Sequence, residues 1–120
     1  MDINNTLKEL KQRPGFAEHV GMMLIHNGVV RGWSRKGHEA VSSVHITPDR
    51  EKMQAICREM EQRPGIFAIV ADSEEGELRP GDDVLFLVVA GDIRENVKAT
   101  FAELLDRVKA EAVIKQEHLR

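Results

Sequence analysis

Cysteine is almost missing from this chain. Cys57 is the only one, so no intrachain disulfide can form and no paired-cysteine zinc or redox motif exists. That usage fits a reducing, cytosolic setting. Long apolar runs are missing too: the longest, such as Val84 to Ala90, fall far short of a bilayer span. The polar start Met1-Asp2-Ile3-Asn4-Asn5 has neither the basic run nor the apolar stretch of a signal peptide. The expectation is therefore a soluble, cytoplasmic protein without a membrane partner. Charge of one sign is also lacking. Lys and Arg number 17 against 20 Asp and Glu, a net charge of −3 at pH 7. Such a chain has no global positive field to hold nucleic acid, so any anion it handles must meet a local basic cluster. Glycine-rich dinucleotide and P-loop motifs, the nucleophile elbow and the helical HExxH zinc motif are all absent.

What remains is ordinary globular material: 120 residues, 42% hydrophobic and 31% charged. This is one domain, residues 1–120, large enough to bury a core without disulfides or a structural metal. Asn5 to Gln12 reads as a short helix stopped by Pro14-Gly15, with Leu7 and Leu10 on one side. Gly21 to Val30 reads as a strand with a bulge or bend at Gly28, and Ala40 to Thr47 as a second strand. Thr47-Pro48 predicts a helix cap, and Met53, Ile56, Cys57 and Met60 then form one apolar stripe ended by Arg63-Pro64-Gly65. Ile66 to Ala71 and Val84 to Ala90 are apolar runs expected to be strands buried on both faces, joined by a solvated acidic hairpin from Asp72 to Asp83. A last helix spans about Ile93 to Ala110, and Val113-Ile114 suits a short closing strand or edge contact. The order α-β-β-α-β-β-α predicts an α+β sandwich, helices packed on a mixed sheet.

Few residues offer chemistry. Cys57 lies on the apolar stripe, where burial raises a thiol's pKa and makes it a small hydrophobe rather than a nucleophile. His26 and His45 fall on neighbouring predicted strands and could meet across a sheet, but the five histidines show no metal-ligand spacing, and no metal is expected. The segment Arg31-Gly32-Trp33-Ser34-Arg35-Lys36 gathers cations and the only tryptophan. Guanidinium groups suit bidentate contact with phosphate, and an indole offers a stacking face for a flat heterocycle. The plainer alternative is a mobile surface loop. Lys109 ends the last helix, where it could complement the helix dipole or tuck into a pocket that lowers its pKa and makes it a nucleophile or proton donor.

The pattern Gly21, Asn27-Gly28-Val29-Val30-Arg31, the Glu51-Lys52 helix, Gly76-x-Leu78-x-x-Gly81-Asp82, and Arg94 ahead of Asp106-Arg107-Val108-Lys109 resembles the large, catalytic subunit of molybdopterin synthase. The resemblance covers nearly the whole chain from Gly21. It implies an α/β-hammerhead fold, usually dimeric. It also implies a small ubiquitin-like partner whose C-terminal Gly-Gly thiocarboxylate gives sulfur to a cyclic pyranopterin monophosphate, with no metal or other cofactor in the step. On that likeness Arg31 and Arg94 bind the substrate phosphate, and the loop's own chemistry adds Trp33 and Arg35 as substrate-binding candidates. Lys109 meets the tail terminus, and Lys115 or Gln116 stands for a second functional lysine. The family's His-Arg pair is Ser73-Glu74 here, a histidine before the second arginine is Ile93, and the closing Trp-Lys-Lys run is reduced to Val113-Ile114-Lys115-Gln116-Glu117. These departures define the alternative: a paralogue that keeps the dimer and the partner groove without the chemistry.

Overall fold

The computed structural model describes residues 1–120. Its elements in chain order are α1 (Ile3–Lys11), α2 (Phe16–His19), β1 (Met22–Val29), β2 (Val41–Pro48), α3 (Arg50–Met60), β3 (Ile66–Ser73), β4 (Gly76–Leu78), β5 (Asp83–Gly91), α4 (Arg94–Glu111) and β6 (Val113–Leu119). The α+β class stands, but the single mixed sheet does not. Two three-stranded sheets form, in the orders β1-β5-β3 and β4-β2-β6, and every pairing is antiparallel.

The first sheet is built around β5, whose residues Leu85 to Ala90 are at most 3% exposed. An unbroken apolar run is what a central strand covered on both faces requires. One face carries α3 and α4: Met53, Ile56, Cys57 and Met60 meet Val97, Leu104 and Val108 over Leu85, Leu87 and Val89. The other face carries α1, through Leu10 on Ala68, Phe86 and Val88. The stripe read from sequence is thus the one α3 buries. Cys57 sits within it, its thiol pushed up to about 11 by burial and, second, by Glu61. The cap of α3 differs from expectation. Asp49, not Thr47, accepts a hydrogen bond from the Lys52 backbone N–H at 3.0 Å, because Pro48 still belongs to β2.

The second sheet arises from parts that carry little periodicity. The acidic segment is not merely a wet turn: its residues Gly76–Leu78 pair with Val44–Ile46 of β2 as β4. The closing segment is a full strand, β6, paired along the other edge of β2. A register shift between Val41 and Ser43 is a bulge, and it lets Val41 join Val44 and Ile46 on the buried face. β3 is an edge strand, yet it is covered on both faces as its apolar run predicts, with Ile69 packed beneath α3 and α4 and Ala68 against α1. Because β1 and β2 belong to different sheets, His26 and His45 do not meet. His26 lies opposite Leu87, while His45 lies opposite Glu77 and Gln116 and hydrogen-bonds the Glu77 carboxylate at 2.9 Å. No helix is long and apolar enough to cross a membrane.

Leu104 is fully buried where α4 meets both α3 and β5. Leu104→Ala should cost about 2–5 kcal/mol, from lost transfer energy plus an unfilled cavity. Urea denaturation checks this, and a loss under about 1 kcal/mol would mean α4 is not the lid of the core.

Candidate active site: a basic cleft at the seam of the two sheets

The two sheets meet where the ends of β1 and β5 in the first approach β2 and β6 in the second. A cleft of about 680 Å³ lies at this seam. Its apolar wall comes from Val30, Val44, Ile46, Val84, Leu85 and Val113. The ladder breaks register to make it: between Gly28 and Val29 the pairing skips Val84, so the break falls at the glycine but the extra residue lies on β5, and beyond it Val30 packs inward and Arg31 lines the opening. Arg31, Arg35 and Lys36 enter from the loop after β1, Lys109 from the last turn of α4, and Lys115 from the inner face of β6. The only carboxylate among the lining residues is Glu117. It accepts a hydrogen bond from Ser34 Oγ at 3.1 Å and lies 3.6 Å from Lys115 Nζ. A chain that is acidic overall therefore concentrates its positive charge in one concavity.

The loop bearing these arginines is ordered by stacking. The Trp33 and His38 rings lie parallel at 4.5 Å, and the Arg31 guanidinium stands 4.7 Å from the Trp33 ring centre. Gly37 at φ 79° and His38 at φ 56° turn the chain back, and Ser34 N–H donates to the Glu39 carbonyl at 2.8 Å. Trp33 is 42% exposed and does not line the cleft; it backs Arg31 instead.

Lys109 experiences the field of this cluster. Burial first, then the charges of Lys115, Arg31 and Arg35, hold its amine below the ordinary lysine range, with Asp106 opposing weakly. Arg107, two residues earlier, faces away and pairs with Glu59 and Glu111. His26 also lines the cleft, and its Nε2 is buried without a hydrogen-bond partner. An orphaned buried polar atom costs about 1–3 kcal/mol. The sequence showed His26 only as an isolated histidine, since nothing local says which face of β1 closes on the seam.

Arg94 does not join the others. It starts α4 while Lys109 ends it, a rise of about 22 Å at 1.5 Å per residue. Its side chain is 78% exposed and paired only with Glu95 at 3.4 Å. Glu74, which replaces a family cation, is likewise outside the cleft and lies 3.6 Å from the Met1 ammonium. No group of three or more His, Cys, Asp or Glu side chains has the arrangement to hold a metal ion.

With this geometry in hand, the comparisons decide the family. The MoaE protein profile matches residues 1–111. The chain belongs to the MoaE family. These are large subunits of molybdopterin synthase, in molybdenum cofactor biosynthesis. Among solved structures, molybdopterin synthase from Staphylococcus aureus is similar at TM-score 0.79 and 16% identity, covering 100% of this chain and 86% of that one. The molybdopterin cofactor biosynthesis protein E from Burkholderia multivorans is similar at 0.77 and 22%, covering 100% and 82%. A complex of subunits 1 and 2 of molybdopterin-converting factor from Helicobacter pylori is similar at 0.72 and 14%, covering 100% and 80%. No curated protein matches the sequence. At these identities the MoaE fold is shared while the side chains of the site are this chain's own.

The charge crowding around Lys109 is measurable. In a titration of Nζ signals by NMR, Lys109 should lose its proton below the other lysines, and Arg31→Ala or Lys115→Ala should move it back up by removing a cation. A Lys109 that titrates with the bulk lysines, unmoved by either substitution, would contradict the clustered geometry.

Proposed function

We propose that this MoaE-family chain is the large subunit of a working molybdopterin synthase, in which the seam cleft receives two anions. One is the C-terminal Gly-Gly thiocarboxylate of a small ubiquitin-like partner; the other is the phosphate of a cyclic pyranopterin monophosphate. The observation that supports this reading is Arg31, Arg35, Lys36, Lys109 and Lys115 lining one cleft with a single opposing carboxylate. Guanidinium groups bind phosphate bidentately, so Arg31, held against Trp33, and Arg35 take the substrate phosphate. Trp33 acts by fixing Arg31 rather than by stacking on the pterin, since it does not line the cleft.

Lys109 meets the end of the tail. As an ammonium it draws the thiocarboxylate in and stabilises charge building on the carbonyl oxygen; as the amine, which its surroundings favour, it attacks that carbonyl, an amide bond forming as the C–S bond breaks and the sulfur leaves as hydrosulfide toward the pterin. Lys115, not Gln116, is the second lysine, because in β6 it is Lys115 that faces inward opposite Ile46. Catalysis is then chiefly positioning and electrostatic stabilisation. Arg94 reaches no part of its own chain's cleft, so a role in phosphate binding requires delivery from a second copy in a homodimer.

The test supplies a thiocarboxylated small subunit and the cyclic pterin precursor and detects molybdopterin as its fluorescent oxidation product. Product is expected, and Lys109→Ala should lower its rate by roughly a hundredfold or more, the scale of losing a transition-state contact. Arg31→Ala should act mainly on KM for the pterin. A folded protein that binds the small subunit yet makes no product is the non-catalytic paralogue instead.

A further inference from the structure

His26 is a polar side chain of the cleft that the sulfur transfer just described does not use. Its Nε2 is the one buried side-chain nitrogen or oxygen in the structure left without a hydrogen-bond partner. Room for the ring is kept by Gly28, next along the same face of β1, where an added Cβ would stand 2.9 Å from Nε2. Lys109 faces the cleft from α4, Arg31, Arg35 and Lys36 from the loop, and Lys115 and Glu117 from β6. Burial, and after it the charge of Lys109, hold the imidazole below its ordinary range, so it is neutral in the empty cleft.

We propose that His26 is a substrate-contacting residue of the basic cleft: its Nε2 hydrogen-bonds the anion that fills the cleft, and the imidazole takes up one proton from solvent as that anion binds. The unmet hydrogen bond disfavours the empty state and is met only when a ligand arrives. An entering anion also offsets the Lys109 charge that, after burial, keeps His26 neutral, and so favours the imidazolium. The proposal rests on the cleft being the anion site described above, but not on sulfur transfer taking place there. Phosphate and a peptide's terminal carboxylate share the required chemistry.

Isothermal titration calorimetry on the full chain, in buffers of different ionisation enthalpy, tests this with two probes: inorganic sulfate, a phosphate mimic that does not itself titrate near neutrality, and a peptide ending in Gly-Gly. At least one probe should bind with net proton uptake, and its affinity should fall as pH rises past the lowered range of the free imidazole. His26→Phe should reduce the uptake, leaving only what Lys109 takes up, and weaken that probe roughly threefold to tenfold. His26→Gln keeps a hydrogen bond but cannot titrate; it should retain more affinity and show the same reduced uptake. Since His26→Phe removes an orphaned polar atom, its melting temperature should not drop. Which probe behaves so tells phosphate from tail carboxylate. Uptake undiminished in both variants, unchanged affinity in His26→Phe, or no binding of either probe would overturn the proposal. Uptake that depends on His26 in a protein that makes no molybdopterin would uphold it and remove only the assigned reaction.

Discussion

Like charges held together at a partly buried seam are the constraint on which this structure turns. Arg31, Arg35, Lys109 and Lys115 repel one another, and burial first and then this repulsion lower the proton affinity of Lys109. Such an arrangement costs folding free energy that could be recovered by dispersing the cations over the surface, as the chain does with Arg63, Arg94 and Arg107, each beside a carboxylate. Only the Lys115–Glu117 contact and the Arg31–Trp33 stack ease it from within. An anion in the cleft would relieve it outright, so the unliganded protein is poised for one.

The fold supplies the cluster through three devices. The β5 bulge at Val84, opposite Gly28 and Val29, ends the first sheet so that Val30 lines the seam. The β2 bulge near Ser42 aligns Val41, Val44 and Ile46 on one face, giving the second sheet an apolar underside on which the cleft can rest. Helix α4 is anchored by Val97, Leu104 and Val108, and its last turn projects Lys109 between the layers. Within β6, alternation places Lys115 and Glu117 inward and leaves Gln116 and His118 on the outer face with His45 and Glu77.

How much of this was legible in the sequence follows from which signals are local. The stripe of α3, the continuous run of β5 and the spacing along α4 announce themselves because their apolar periods span several turns or a whole strand. The three-residue β4 and the four-residue α2 have no period to read, so an acidic hairpin and a loop concealed them. The second sheet was invisible because β2 pairs with β6 across most of the chain, and pairing partners leave no local mark. Thr47-Pro48 carries a standard cap signal, yet strand pairing kept Pro48 in β2 and moved the cap to Asp49. Arg31, Arg35, Lys109 and Lys115 stood out by type and were brought together. Arg94 stood out equally and was not, since its distance from Lys109 is fixed by an unbroken helix whose length, not its sequence, separates them. His26 was legible as a residue but not as part of the cleft, because its place depends on how two sheets meet.

A crystal structure of the protein with a Gly-Gly-terminated segment of the small subunit bears most directly on whether the seam cleft is where the chain works. The account predicts the terminal carboxylate inside the cleft, with an oxygen about 2.7–3.2 Å from Lys109 Nζ and the arginines of the loop turned toward the remaining space. A peptide terminus seated on another surface, with the cleft filled by solvent alone, would contradict it.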